Sequence, residues 1–318
     1  MKDRNMCFQY NYLPTVVVFG ASGFLGRYVV ALLAKNNFLI KACVRSPSRA
    51  RHLLVNGKLG QVSLLRCNIS DAESVNSVTD KADVVINLVG ILTEYRNQTF
   101  KNIHLDGAIN IAKACKKYNI KSLVHVSALS VDRSLESNYA KSKFTAEKCI
   151  KTIFKNVTIV RPSVIYGAED DFTNKFAKMA LISPFIPIIN QGLTKFQPVN
   201  VLDVAKAIEK IVLNKKLEGN IYCLGGPEIF SFREIIDLIM KNIGKDKIYI
   251  NLSFFNAKIL AFITSIFPNA PITLDQLKLL KVNNIVPPKS RGFKHLGINP
   301  TSLQIGSKRY LSRYKTSY

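Results

Sequence analysis

Short, nearly unbroken apolar runs recur through the first half of the chain and predict strands at 15–19, 38–45, 61–67, 83–88, 122–127 and 157–161. Between them apolar residues return every three to four positions, which predicts helices at 24–36, 72–79, 99–118 and 139–154. Apolar runs without in–out alternation belong to strands covered on both faces, as in a parallel sheet. The alternation of the two periods therefore predicts an α/β fold: a doubly wound parallel sheet, helices on both faces, joined by right-handed crossovers. After residue 162 the pattern loosens. Pro162, Gly167, Pro184, Pro187, Gly192 and Pro198 punctuate it, and helical periods return at 202–214, 231–243 and 253–266. This divides the chain into a first domain at 14–165, a smaller mixed lobe at 166–287 interleaved with the core of the first, and a polar, basic tail at 288–318.

Composition adds few constraints. Of 318 residues, 47% are hydrophobic and 21% charged, values typical of a globular protein. No apolar run reaches the roughly 18 residues needed to cross a bilayer, and the first residues carry no apolar stretch of signal-peptide length. The expectation is a protein that stays in the compartment where it is made. Cysteines 7, 43, 67, 115, 149 and 223 form no CxxC pair, and the four histidines are dispersed, so no disulfide framework or metal site is expected. The net charge is +24, which draws a protein toward polyanions. With 32 Lys against 13 Arg and abundant Ile and Asn, AT-rich codon usage accounts for part of it. Residues 276–318 are a sharper feature, with nine Lys or Arg and no Asp or Glu, which suggests a docking surface. Tyr310, Tyr314 and Tyr318 lie among these charges, but no nucleic-acid-binding motif accompanies them.

The most specific stretch is VVVFGASGFLG at 16–26. An apolar strand runs into Gly20, Gly23 and Gly26 and restarts as a helix, the first unit of a Rossmann-type dinucleotide-binding fold. Gly20 permits the tight turn, Gly23 lets backbone approach a pyrophosphate, and Gly26 brings the helix close to the strand. Ser22, Phe24 and Leu25 complete the loop. The helix N-terminus then offers free N–H groups to phosphate. At the end of the second strand, where an acidic side chain would bond a ribose 2′-hydroxyl, stands Arg45. A guanidinium there suits a 2′-phosphate and selects NADP(H), with NAD(H) as the alternative cofactor. The fourth strand brings Asn87, Val89 and Gly90 to the edge of the sheet where ligands bind in open α/β folds.

The GxxGxxG spacing resembles the extended and atypical short-chain dehydrogenase/reductases. By that resemblance Asn68 and Ile69, after the third strand, frame an adenine. Pro162, Ser163 and Val164, in RPSVIYG, contact a nicotinamide carboxamide. Tyr139 and Lys143 in NYAKSK match the YxxxK pair of the superfamily, and Ser127 in HVSA is its usual companion. Four residues apart on a helix, Tyr139 and Lys143 share a face. The Lys143 ammonium is expected to lower the phenol pKa so that Tyr139 exchanges a proton with substrate while Ser127 holds the same oxygen. Lys143 would also bond the nicotinamide ribose. Two departures stand out. Ser127 and Tyr139 are only twelve residues apart, which leaves less wall for a substrate, and His104 occupies the place where the extended enzymes carry Asn. His104 is expected to be a packed, hydrogen-bonded residue.

Four further stretches narrow the resemblance: NLVGIL (87–92), RPSVIYGAEDDFTNKFA (161–177), KFQPVNVLDVAKAI (195–208) and ITLDQLKLLKVNNIV (272–286). Together they resemble the nucleotide-binding accessory subunit family of respiratory complex I, the alpha-subcomplex subunit 9 family, over about residues 14–287. The likeness implies a tightly held NADPH in a structural role and attachment to complex I or another membrane-bound complex. The apolar segment 252–267 and the basic stretch 276–318 add an anionic lipid surface as a contact, and the expected location is the cytoplasmic face of the inner membrane, without a transmembrane helix. Two alternatives remain at this level. One is an active NADP-dependent reductase or epimerase working through Ser127, Tyr139 and Lys143 on a quinone precursor or nucleotide sugar. The other is a nucleic-acid-binding protein on a dehydrogenase fold, suggested by charge alone.

Overall fold

The computed structural model describes residues 13–264 and 272–315. Seven strands build the main sheet: β1 (Thr15–Phe19), β2 (Leu39–Val44), β3 (Val62–Arg66), β4 (Val84–Asn87), β5 (Ser122–Val126), β6 (Thr158–Pro162) and, from much later in the chain, β11 (Ile221–Leu224). Their order is β11-β6-β5-β4-β1-β2-β3 and every neighbouring pair is parallel. This is the doubly wound order, whose direction reverses between β1 and β4, and the crevice at that reversal is where such folds bind ligands.

Strands β4, β5 and β6 are buried along their whole length, and β1 from Val16 onward, because helices cover both faces. Helices α1 (Phe24–Lys35) and α6 (Val201–Leu213) lie on one face, and α2 (Ala72–Thr79), α3 (Gly107–Lys117) and α4 (Asn138–Ile153) on the other. Each supplies an apolar stripe, such as Val29, Val30 and Leu33 of α1 or Ile111 and Cys115 of α3. The helix expected over 99–118 is interrupted: residues Lys101–Asp106 form a π-helical turn before α3. Wide turns of this kind re-aim side chains and concentrate at functional sites.

The second lobe holds β7 (Ile165–Tyr166), β8 (Phe185–Ile189), β9 (Lys195–Phe196), β10 (Val199–Asn200), β12 (Phe230–Ser231) and β13 (Ile248–Leu252). They pair as β7–β10, β9–β12 and β8–β13. Around them pack α5 (Phe172–Ile182), α7 (Phe232–Ile243), α8 (Phe254–Thr264), α9 (Leu274–Leu279) and α10 (Leu303–Leu311). Helix α7 begins with a reciprocal capping box between Ser231 and Glu234 and ends on Gly244 at φ 67°. The basic C-terminal stretch is not a free tail. Leu303 and Leu311 are buried in the lobe core, and the Tyr310 hydroxyl sits 3.0 Å from the Asp170 carboxylate and 2.8 Å from Thr173, inside the fold. Tyr318 lies outside the described residues, as do Cys7 and residues 265–267 of the apolar segment. What is described of that segment, α8, buries Ala257 and Ala261 and leaves Phe255, Ile259 and Ile263 exposed. The cysteines at 43, 67, 115, 149 and 223 are free thiols.

Between α4 and β6 runs a buried ion network. Arg161 grips Glu147 with two bonds of 2.9 and 2.6 Å and reaches Asp132 at 2.7 Å. The fork geometry matches a carboxylate, and the pairing is what allows a guanidinium this far inside.

Candidate functional site

The glycine loop has the shape its spacing implies. Gly20 stands at φ 79°, and a Cβ there would come within 3.2 Å of the Leu88–Val89 backbone beyond the neighbouring strand. At Gly26 a Cβ would overlap the carbonyl oxygens of Gly20 and Ala21, so helix and strand touch through bare backbone. Gly23 differs. It caps α1 with ordinary extended backbone, donates its N–H to Gly20 at 3.0 Å, and has only the Gly20 carbonyl oxygen, at 3.2 Å, near the place of a Cβ. Its other side is open to the cleft. This bare-backbone helix start, facing open space at the sheet reversal, is the cradle a dinucleotide phosphate requires.

One cleft of about 650 Å³ gathers most of the expected residues. Gly20, Gly23, Phe24, Leu25, Gly26, Gly90, Ser127, Tyr139, Lys143, Pro162, Ser163 and Val164 all line it. Ser22, Arg45, Asn68, Ile69 and Val89 do not. Arg45 is exposed just beyond β2 and donates to the Gln98 side chain. Asn68 is exposed, with its side-chain oxygen accepting the Ser70 N–H at 3.2 Å. Ile69 is buried, and its side chain packs where a Cβ on Gly107 would sit. Val89 contributes its backbone: its carbonyl accepts from the Lys143 ammonium at 3.3 Å.

Around Lys143 the chemistry departs from expectation. The ammonium donates to the carbonyls of Val89 and of Val126, at 3.3 and 3.2 Å, tying α4 to the ends of β4 and β5. Burial brings its pKa down to about 8, a fall opposed by the nearby Glu147. The expectation that Lys143 makes Tyr139 more acidic is not met. Burial instead pushes the Tyr139 phenol up to about 12, with the ring packed edge-on against the stacked rings of Phe100 and His104. The Ser127 hydroxyl is buried at the cleft wall and has no hydrogen-bond partner in the protein.

His104 is the packed residue its setting suggests. Its Nε2 accepts the Ile91 N–H at 3.0 Å, so Nδ1 carries the proton and donates to Ser142 Oγ at 2.8 Å. Ser142 in turn donates to the Tyr139 carbonyl at 2.8 Å. Burial and the adjacent Lys143 charge hold His104 neutral, its pKa driven down to about 2. His125, on β5, accepts from Asn87 at Nδ1 (3.1 Å), and burial drives its pKa to about 3. The Nε2–H of His125 is left buried and unpartnered.

Two residues of the site carry no sign of it in the sequence. Asp275, from the ITLDQLKLLKVNNIV stretch, lays its carboxylate across the start of α4, accepting from Ser137 Oγ (2.7 Å), Asn138 N (2.7 Å) and Tyr139 N (3.0 Å). Asn284, from the same stretch, accepts from Ser163 Oγ at 2.6 Å and donates to the Leu129 carbonyl at 3.2 Å, bridging the loops after β5 and β6. The stretch that most narrows the family resemblance thus buckles the lobe onto the YxxxK helix. Only this likeness marks it, since an Asp in a short amphipathic run carries no local signal. No group of His, Cys, Asp or Glu among the described residues is arranged to hold a metal ion.

Comparison with known proteins agrees with this geometry. Residues 14–283 match the model of the NmrA-like family. The chain is similar to the mitochondrial NADH-ubiquinone oxidoreductase 40 kDa subunit of Neurospora crassa, 30% identical over 308 residues that cover 95% of this chain and 80% of that protein. It is 33% identical to the mitochondrial NADH dehydrogenase [ubiquinone] 1 alpha subcomplex subunit 9 of Arabidopsis thaliana, over 94% of this chain and 77% of that one. Among solved structures, an NADPH-dependent quinone oxidoreductase of Escherichia coli complexed with NADPH shares the fold, with a TM-score of 0.74, 22% identity, and coverage of 93% and 99% of the two chains.

Proposed function

The chain belongs to the NmrA-like family and, within it, to the group of complex I alpha-subcomplex subunit 9 and 40 kDa subunits, and from that premise we propose that it is a nicotinamide-nucleotide-binding accessory subunit of respiratory complex I. The observation that carries the nucleotide part is the α1 N-terminus, stripped of side chains at Gly20, Gly23 and Gly26 and open to the cleft at the sheet reversal. Gly20 and Gly23–Gly26 would hold the pyrophosphate, and Gly90, Lys143, Pro162, Ser163 and Val164 the nicotinamide end. We assign the preference for NADP(H) to Arg45, exposed beyond β2 where NAD-specific folds carry a carboxylate.

The nucleotide's role in this reading is structural. Bound, it would supply hydride chemistry; what the chain's own groups do is anchor it. A ligand bound only to the folded state stabilises that state by mass action and needs no turnover. Lys143 already donates to two carbonyls and keeps one ammonium N–H for a ribose, which suits an anchoring role. A reductase reading rests on Ser127, Tyr139 and Lys143 meeting at one cleft. It predicts oxidation of NADPH by a carbonyl substrate, where the accessory reading predicts none.

Attachment would be peripheral: no helix among the described residues is long and apolar enough to cross a membrane. We place the chain at the membrane surface that carries complex I; the cytoplasmic face belongs to this proposal for a bacterial host, whereas the relatives are mitochondrial. The test is native electrophoresis of membranes solubilised in mild detergent from cells carrying the tagged full chain. Co-migration with NADH dehydrogenase activity is expected. A chain found only in the soluble fraction at low salt overturns the assignment.

A further inference from the structure

If Arg45 selects NADP(H), its guanidinium must be held in place, and an exposed arginine on a long flexible stem is not held by packing. Its one side-chain hydrogen bond supplies the hold: Nη1 donates to the side-chain oxygen of Gln98. The two residues come from opposite sides of the sheet reversal. Arg45 follows β2, and Gln98 lies in the connection after β4. Between those strands stands β1, which runs into the glycine loop. The bond therefore spans the end of β1, at the edge of the sheet that carries the glycine loop. The connection that bears Gln98 is itself firmly built. Tyr95 and Gln98 exchange backbone hydrogen bonds of 3.1 and 3.0 Å around a tight turn, with Arg96 at φ 51°. On its flanks the Glu94 carboxylate accepts the Phe100 N–H at 2.6 Å, and the Asn102 amide donates to the Asn97 carbonyl at 3.1 Å. The Asn102 carbonyl accepts the Ser70 hydroxyl at 3.3 Å, from the loop after β3. Phe100 is buried and stacks on His104, with ring centroids 5.3 Å apart.

The chemistry of the bond suits an anion as a third member. Gln98 is neutral, so it orients the guanidinium without cancelling its charge. The bond uses an N–H of Nη1 and leaves the Nε–Nη2 edge, a fork that matches a phosphate. A carboxylate in the same place would pair with Arg45 and repel a phosphate. We propose that Gln98 is a positioning residue for nucleotide choice: it holds the Arg45 guanidinium at the crevice with one edge free for a ribose 2′-phosphate, so that NADP(H) is selected by the pair and not by Arg45 alone. The inference rests on the NADP(H) reading of Arg45 and names the residue that makes that arginine effective. It also ties nucleotide choice to the connection after β4, which carries Phe100 and leads into the π-helical turn with His104.

NADPH and NADH serve as probes, titrated calorimetrically into the full chain freed of co-purifying nucleotide. Gln98→Ala should weaken NADPH about three- to tenfold, the scale of one hydrogen bond, and leave NADH within about twofold. Gln98→Glu keeps the shape but adds a charge that neutralises Arg45, and should weaken NADPH about tenfold or more with NADH again little changed. Added to Arg45→Ala, the Gln98→Ala change should have no further effect on NADPH, because the arginine it positions is gone. The nucleotide-free Tm should not move, since the bond lies at the surface. Arg45→Ala separates the two readings. If it collapses the preference for NADPH while both Gln98 variants keep it, or if the Gln98 variants weaken NADPH and NADH equally, the positioning role is overturned and the reading of Arg45 stands. If Arg45→Ala itself leaves the preference unchanged, the NADP(H) reading falls and the proposal with it.

Discussion

Replacing Asp275 by Ala isolates the contact that joins the lobe to the YxxxK helix. The carboxylate receives three hydrogen bonds, from Ser137 Oγ, Asn138 N and Tyr139 N, and its side chain is 17% exposed. Asn138 is exposed and recovers water in the variant; Tyr139 N is partly buried and does so less well. One hydrogen bond to a charged acceptor is worth about 1.5–3 kcal/mol. A negative charge at a helix N-terminus adds about 0.3–1 kcal/mol. The ion pair with Lys278 at 4.0 Å, on a chain 40% exposed, adds little. The expected loss is therefore about 2–4 kcal/mol. For 318 residues at about 2.1 cal/mol/K per residue, that corresponds to a fall in Tm of about 3–6 °C. Asp275→Asn keeps an acceptor without the charge and should lose about half as much. Thermal melts followed by circular dichroism give the first readout, and NADPH affinity gives the second, because α4 also carries Lys143. A loss under about 0.5 kcal/mol, together with unchanged NADPH affinity, would refute the view that Asp275 sets the start of this helix.

Other expectations follow from the same geometry. Arg161→Met strands Glu147 inside without its partner and should cost about 3–5 kcal/mol, read from urea midpoints; the loss should shrink when Glu147→Gln is added, and an unchanged cost in the double variant would argue against the pair. His104 and His125 have folded-state pKa values held at about 2 and about 3, below the ordinary 6.5, so both are neutral when folded and charge when unfolded. Their contribution is fully present above about pH 6.5 and is lost as pH falls below it, each at up to about 1.4 kcal/mol per pH unit. His125→Leu should flatten the urea-stability slope between about pH 4 and 6 by about one proton, and an unaltered slope would contradict the assignment. Gly23→Val should abolish nucleotide binding at little cost to the nucleotide-free fold, since a Cβ there meets only the Gly20 oxygen, whereas Gly26→Val should prevent folding. Equal effects of the two on nucleotide-free Tm, measured by scanning calorimetry, would refute this division.

The main sheet is legible in the sequence because its strands are covered on both faces: an uninterrupted apolar run such as VVVF suits a short strand buried on two sides, and β1 through β6 fall where those runs lie. Strand β11 is not legible. It has only four residues, IYCL, and takes its place beside β6 from far along the chain, a long-range pairing no local period encodes. The lobe's strands of two residues escape for the same reason, and α10 because a helix of nine residues with a weak apolar stripe reads as polar tail. In the site, the glycines are readable since each answers a backbone demand. The raised Tyr139 pKa is not, because sequence shows that Lys143 is four residues away but not that burial dominates. Asp275 and Asn284 act across more than a hundred residues of chain on Tyr139 and Ser163, and only the fold brings them there.

The central claim is that the glycine loop and the cleft hold one NADP(H) per chain as a resident ligand. It is tested most directly by purifying the protein from its own cells, denaturing it, and quantifying the released nucleotides by chromatography and mass spectrometry. The account predicts close to one equivalent of NADP(H), none from Gly23→Val, and a shift toward NAD(H) or loss of nucleotide from Arg45→Asp. Release of no nicotinamide nucleotide, or of NAD(H) as the main species from the unaltered chain, would contradict it.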